Sequence, residues 1–168
     1  YISAAAEKKG TWGAPYIFAG SGVVGLTYSV PFYSATNVLI GVVGIDFTLG
    51  SIQNTLQSFG SSGSAFYAFE TSQSPLTQPA GTSAAYNLLA TSTNANIVNA
   101  GGTSQVKAYD TSSVADYTIS ASANYMKDKA FVYDGTFTYN NIHATVRNYQ
   151  NYGLYWRFVG ASYQYNLI

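Results

Sequence analysis

Between Gly10 and Phe69 the chain carries one ionisable side chain, Asp46. It stands near the end of Val38–Phe47, a run so continuously apolar that it reads as a strand covered on both faces and therefore central in its sheet. The flanks complete a unit. Leu26–Tyr33 (LTYSVPFY) reads as a strand, and Ser34–Asn37 (SATN) has turn chemistry. Leu49, Ile52, Leu56 and Phe59 then fall at helical spacing, with Thr48 placed to cap them. A carboxylate in such a setting costs several kcal/mol unless it is paired or hydrogen-bonded, and no base lies near it in sequence. Asp46 therefore either caps the following helix through backbone N–H groups or meets a ligand's cation in an apolar, aromatic pocket. The residues alone leave both open.

Composition narrows the partners. Apolar residues make up 47% and aromatics 16% of the 168 residues, which excludes a disordered chain. Charged residues are 8%, against about 25% in ordinary domains, and seven acids balance seven bases. That leaves no electrostatic footprint for nucleic acid or an anionic membrane, and little self-repulsion to keep copies apart. The absence of cysteine excludes disulfides and thiolate metal sites. The longest apolar run is far short of the roughly 20 residues that span a bilayer, so membrane attachment is expected only through segments outside this chain. Because the sequence opens on Tyr1, it is expected to be a piece of something longer.

Taken in order, Tyr1–Lys9 reads as the last turns of a helix, with Gly10 as a left-handed cap. Thr11–Ala19 reads as a strand and Gly20–Gly25 as a turn. After the Leu26–Phe59 unit come a strand at Ser64–Glu70 and an uncharged loop over residues 71–83. Tyr86–Ser92 and Asn96–Ala100 read as short strands or turns, and Thr111–Met126 holds a helix face of Val114, Tyr117, Ile119 and Tyr125. Three Tyr-rich strands close the chain, Ala130–Tyr139, Ile142–Tyr149 and Leu154–Tyr165, joined by the turns YNNI and QNYG. With no run of βαβ crossovers, the fold class is antiparallel α+β.

Catalytic readings fail on context. Gly20, Gly22 and Gly25 fit G-x-G-x-x-G, but a strand follows them where a phosphate-binding helix is required. His143 is the only histidine and sits in a strand pattern without a nearby acid, and the seven acids are scattered without metal-ligand spacing. The terminal aromatics with Arg147 and Arg157 read as cross-strand packing rather than a base-stacking surface. No enzyme and no cofactor is expected.

Several stretches resemble one family. Trp12, Pro15 and Tyr16 form W-x-x-P-Y, followed by LTYSVPFY (Leu26–Tyr33) and GVVGIDFTLGSI (Gly41–Ile52). Together they resemble the double Cache sensor domains, PAS-like extracellular modules of chemoreceptors, histidine kinases and other membrane receptors. SAFYAF (Ser64–Phe69), LLATS (Leu88–Ser92), ANYM (Ala123–Met126) and GLYWRFVGAS (Gly153–Ser162) fit the second module in the right order. The resemblance implies PAS-like antiparallel sheets flanked by helices. Residues 1–58 would be the C-terminal part of a membrane-distal module plus a connecting helix, and 59–168 a complete membrane-proximal module. It also implies that the distal module is incomplete at its N-terminus, its missing strands coming from another segment or a neighbouring copy. In amino-acid-binding members a Tyr closes an R-x-W-Y helix fifteen residues before the Tyr of the P-Y strand, the spacing of Tyr1 and Tyr16. The family's strand-end Asp corresponds to Asp46, whereas its acid two residues after the second Tyr is replaced by Phe18.

Two functions follow from these readings. One is an extracellular module that senses a small molecule through a pocket of Asp46, Tyr16, Tyr1, Trp12 and Tyr28, coupled to a membrane receptor. The other is a Cache-like fold used as a self-assembling subunit of a fibre or coat, which low charge and sixteen tyrosines would suit. Both predict an extracellular protein and a homo-oligomer or strand-complementing neighbour.

Overall fold

The computed structural model describes residues 2–19, 21–61, 63–71, 85–129 and 133–164. A short helix α1 (Ile2–Glu7) leads into a sheet of β1 (Thr11–Trp12), β2 (Tyr16–Ile17), β3 (Val24–Tyr33) and β4 (Leu39–Thr48). β3 is its hub. Both short strands pair antiparallel with one of its edges, and β4 runs along the other. The expected single strand over Thr11–Ala19 is thus two strands, separated at Gly13–Pro15, where Pro15 has no N–H for a ladder.

A second correction concerns β4. Among the described residues it pairs with β3 only, so it is an edge strand rather than a central one. Ile40, Val43 and Ile45 are 62, 56 and 56% exposed. An apolar run states that both faces suit burial, but not which elements supply it. Here α1 covers part of one face, with Ala4 buried and the Tyr33 hydroxyl donating to Ala5 O at 3.3 Å. After α1 the left-handed residue is Lys8 (φ 53°), not Gly10. Gly10 is required for another reason, since a Cβ there would lie 2.2 Å from the Tyr28 hydroxyl.

Helix α2 (Gly50–Phe59) then crosses to a five-stranded antiparallel sheet. Its strands are β5 (Ser64–Glu70), β6 (Asn87–Thr91), β7 (Gly135–Tyr139), β8 (Ile142–Asn151) and β9 (Leu154–Tyr163), in the order β6-β5-β9-β8-β7. Helix α3 (Tyr117–Asp128), capped by Asp116 through Ile119 N–H, packs Ile119, Ala123 and Met126 on one face against Tyr67, Phe69, Val146 and Val159. The stretch before Asp116 is turn rather than helix, although Val114 is buried in the same core. Asn96–Ala100 forms only a bridge from Val98 to Gln105. The expected strand at Ala130 begins at Gly135, and positions 130–132, 72–83 and 165 of the sequence expectations lie outside the described residues.

The opposite face of the second sheet joins the first. Val24, Leu26, Leu49 and Leu56 share one core with Ala68, Leu89, Leu154 and Trp156. At the rim of this joint Trp12 N–H donates to Tyr152 O (2.9 Å), and the Thr11 hydroxyl donates to the same carbonyl (3.1 Å). Tyr152 (φ 44°) and Gly153 (φ 91°) make the tight turn between β8 and β9. A Cβ on Gly153 would stand 2.8 Å from Thr11 Oγ1 and 3.0 Å from Trp12 O. Gly153→Ala is therefore expected to cost about 1–3 kcal/mol, from strain at positive φ and crowding at the joint. Urea unfolding measures it, and a variant as stable as the parent would refute the role of this contact.

Candidate functional site

Adjacent residues of a strand face opposite sides of the sheet. The β3–β4 register pairs Thr27 with Asp46 on one face and Tyr28 with Ile45 on the other. On the first face, Thr27 Oγ1 donates to Asp46 Oδ1 at 2.5 Å, and the Tyr16 hydroxyl reaches the same oxygen at 3.5 Å and Thr27 Oγ1 at 3.0 Å. Asp46 Oδ2 has no hydrogen-bond partner among the described residues. The Tyr16 ring meets the half-buried Phe18 ring edge-on, centroids 4.9 Å apart. Phe18 in turn lies over Gly25, where a Cβ would be 2.3 Å from its ring.

Asp46 is exposed, so the desolvation cost inferred for it does not arise here. Nor does it cap the helix. α2 begins at Gly50 with Leu49 in the N-cap position and no side-chain cap, so Thr48 does not serve there either. Of the two readings of Asp46, the geometry leaves the one in which its carboxylate faces outward.

The five expected site residues do not form one cluster. Asp46 and Tyr16 meet, whereas Trp12 and Tyr28 stand on the other face, where Trp12 packs on Tyr28 (5.0 Å) and Phe47 (5.2 Å). Tyr1 lies outside the described residues. Thr27 and Phe18 belong beside Asp46, and sequence reasoning did not place Thr27 there. Strand alternation held the signal, because Thr27 is the polar residue of LTYSV that a tight Ser34–Asn37 turn brings opposite Asp46.

The remaining chemistry-bearing side chains are structural. His143 is exposed, with Nδ1 3.2 Å from the Thr138 hydroxyl. Arg157 is buried rather than on a stacking surface. Its Nε donates to Asn148 Oδ1 (2.8 Å), its guanidinium lies 5.7 Å from the Phe69 ring centre, and burial lowers its pKa. The fully buried Tyr67 hydroxyl shares a hydrogen bond with Ser122 (2.7 Å), and desolvation pushes its pKa up. Glu70, at the end of β5, is fully buried, and desolvation raises its carboxyl to about 8 against the pull of an Asn87 hydrogen bond and the Lys107 charge. Among the described residues no three His, Asp or Glu side chains come together as a metal site would need.

With this geometry in hand, comparison with known proteins is informative. Residues 1–54 match the family model of the methyl-accepting chemotaxis protein-like first PDC sensor domain. No curated protein sequence matches the chain. Among solved structures it is similar to the ligand-binding domain of the Pseudomonas aeruginosa amino acid chemoreceptor PctC in complex with GABA (TM-score 0.60, 14% identity, 96% of this chain and 59% of that one). It is likewise similar to the periplasmic sensory domain of the Campylobacter jejuni chemoreceptor Tlp1 (0.61, 12%, 95% and 50%). A third is the P. aeruginosa chemoreceptor PctB in complex with L-Arg (0.54, 14%, 100% and 61%). The chain thus has the PDC, or Cache, fold of chemoreceptor sensory domains, as the sequence resemblance implied, and its first third carries that family's signature. It spans about half to three-fifths of the length of the chains it matches.

Proposed function

We propose that this chain is the sensing part of a membrane receptor, displayed outside the cytoplasm, and that it binds a small molecule bearing an ammonium group at Asp46. The observation that carries this is the outward-facing Asp46 carboxylate, one oxygen held by Thr27 and Tyr16 and the other without a protein partner, beside the rings of Tyr16 and Phe18. A carboxylate with aromatic rings at its side suits an organic cation by charge-assisted hydrogen bonds and cation–π attraction. The PDC fold and the sequence match over residues 1–54 support the sensory role. In this reading residues 1–58 close the distal module and supply the connecting helix, residues 59–168 form the proximal one, and the module is not an enzyme. Tyr1 completes the Asp46 face. Trp12 and Tyr28 act from behind it, tying the ligand-bearing sheet to the Tyr152 turn, so that occupancy is felt at the joint. No helix among the described residues is long and apolar enough to cross a membrane, and anchorage is assigned to other parts of the receptor.

Phe18 bears on the ligand. It stands where amino-acid-binding members of the family carry an acid, so simple amines are expected to compete with or outbind α-amino acids. Calorimetric titration with a panel of primary amines and amino acids tests this. Asp46→Asn keeps the shape and removes the charge, and is expected to weaken amine binding on the order of 100-fold. A ligand that binds Asp46→Asn as well as the parent would defeat the assignment. The self-assembly reading retains one support, the uncovered edge and faces of β4. None of the three structures compared above is a fibre or coat protein.

A further inference from the structure

On the opposite side of β3 and β4 from Asp46, the two sheets and α2 enclose a groove of about 320 Å³. Its walls are Trp12, Leu26 and Phe47 of the first sheet and Leu154, Trp156 and Phe158 of β9. No charged side chain lines it. The first turn of α2 forms its polar end, through Thr48, Leu49, Ser51 and Ile52. Leu49 N–H donates to Val24 O, but the N–H groups of Gly50, Ser51 and Ile52 have no hydrogen-bond partner among the described residues, and the N-cap side chain is a leucine. In the same wall Trp156, 5% exposed, holds a buried indole N–H that likewise has no partner.

Three observations therefore converge on one space. The walls are aromatic and aliphatic, the size is that of the smaller ligand pockets, which begin at about 300 Å³, and the polar end offers donors and no acceptor charge. Uncapped N–H groups at the positive end of a helix dipole favour an anion, and a buried N–H without an acceptor is costly to leave so. We propose that this groove is a second binding site, distinct from the Asp46 face, for a small organic acid. Its carboxylate accepts from the N–H groups and the Ser51 hydroxyl at the start of α2. Its aromatic or branched aliphatic body lies between Trp12 and Trp156. An amine has no partner there, because the only carboxylate of the first sheet is on the far face. The site spans the joint between the sheets, so its occupant stiffens the relation of one to the other.

Trp12 and Trp156 are the chain's two tryptophans, and both line the groove, so intrinsic fluorescence reports its occupancy directly. The intact protein is titrated with 3-phenylpropionate and 4-methylpentanoate, and in parallel with 3-phenylpropanol and 3-phenylpropylamine. The acids are expected to give a saturable fluorescence change and a raised melting temperature, with the alcohol and the amine at least about tenfold weaker. Ser51→Asp puts a carboxylate in the first turn, where it favours the helix. It is expected to keep or raise the melting temperature while weakening the acids at least about tenfold. Asp46→Asn is expected to leave acid binding unchanged, which separates this site from the amine site. Equal binding of acid and alcohol, unaltered acid affinity in Ser51→Asp, or no saturable change by about 10 mM acid would each overturn the proposal.

Discussion

Replacing Glu70 by Gln is expected to stabilise the protein by several kcal/mol at pH 8 and by almost nothing at pH 4. Glu70 is fully buried, and desolvation raises its carboxyl from 4.5 to about 8. Below pH 4.5 the folded and unfolded chains both hold this proton, so the residue adds no pH dependence. Between 4.5 and about 8 the unfolded chain has released it and the folded chain has not. The folded state then binds more protons, and stability falls as pH rises through that window. Above it both forms are ionised and the penalty is constant. At about 1.4 kcal/mol per pKa unit, a shift of this size amounts to several kcal/mol. Gln keeps the shape and can still accept from Asn87 while having nothing to titrate. Lys107 provides the control. Its charge lowers the Glu70 carboxyl, so Lys107→Met should push Glu70 higher and steepen the fall. Urea unfolding at pH 4, 6 and 8 reads both variants. Parent and Glu70→Gln curves that run parallel across this range would show that Glu70 is not the buried acid described.

How much of this was legible beforehand depended on whether the signal was local. The turns were, because Asn37, Asn140, Asn141 and Gly153 take the positive φ that Asn and Gly tolerate, and all four lie in segments read as turns. The antiparallel α+β class followed from strands too closely spaced for crossovers. The place of β4 was not legible. Its apolar run is the same whether its cover comes from described neighbours or from elsewhere, so centrality could not be told from exposure. The Asp46 error came from that same step, since a carboxylate on a strand assumed central is assumed buried. Its pairing with Thr27 needed the β3–β4 register, and the register was readable from the hairpin turn. Arg157 carried a fainter signal. It precedes Val159 and Ala161 by two and four residues, on the face that packs against α3, and its burial follows from that parity. Glu70 offered none, because SAFYAFE shows no alternation that would separate an inward from an outward end.

Gly25→Val is the substitution expected to harm the first sheet most, by about 3 kcal/mol or more. Gly25 pairs with Tyr16 on one side and with Thr48 on the other. A Cβ there would come within 2.3 Å of the Phe18 ring and 2.5 Å of Phe47 O. The two obstacles differ in kind. The ring ends a side chain that can swing toward solvent, whereas the carbonyl belongs to β4 and moves only by opening the ladder that holds Asp46 opposite Thr27. A double-variant cycle separates them. Phe18→Ala removes the first obstacle alone, so combining it with Gly25→Val should recover roughly 1 kcal/mol of the loss and leave the remainder. Strict additivity would mean that Phe18 does not pack over Gly25, and complete recovery would mean that the Phe47 carbonyl is no barrier. Because Gly25 lies two residues from Thr27 on the same face, the unrecovered part should also appear as weaker amine binding at Asp46. Phe18→Ala alone leaves the ladder intact and should lower that affinity only by the loss of one aromatic contact. If the double variant binds amines as Phe18→Ala does despite its lower stability, then the ladder at Gly25 does not position the carboxylate, and the link drawn between strand register and ligand site is broken.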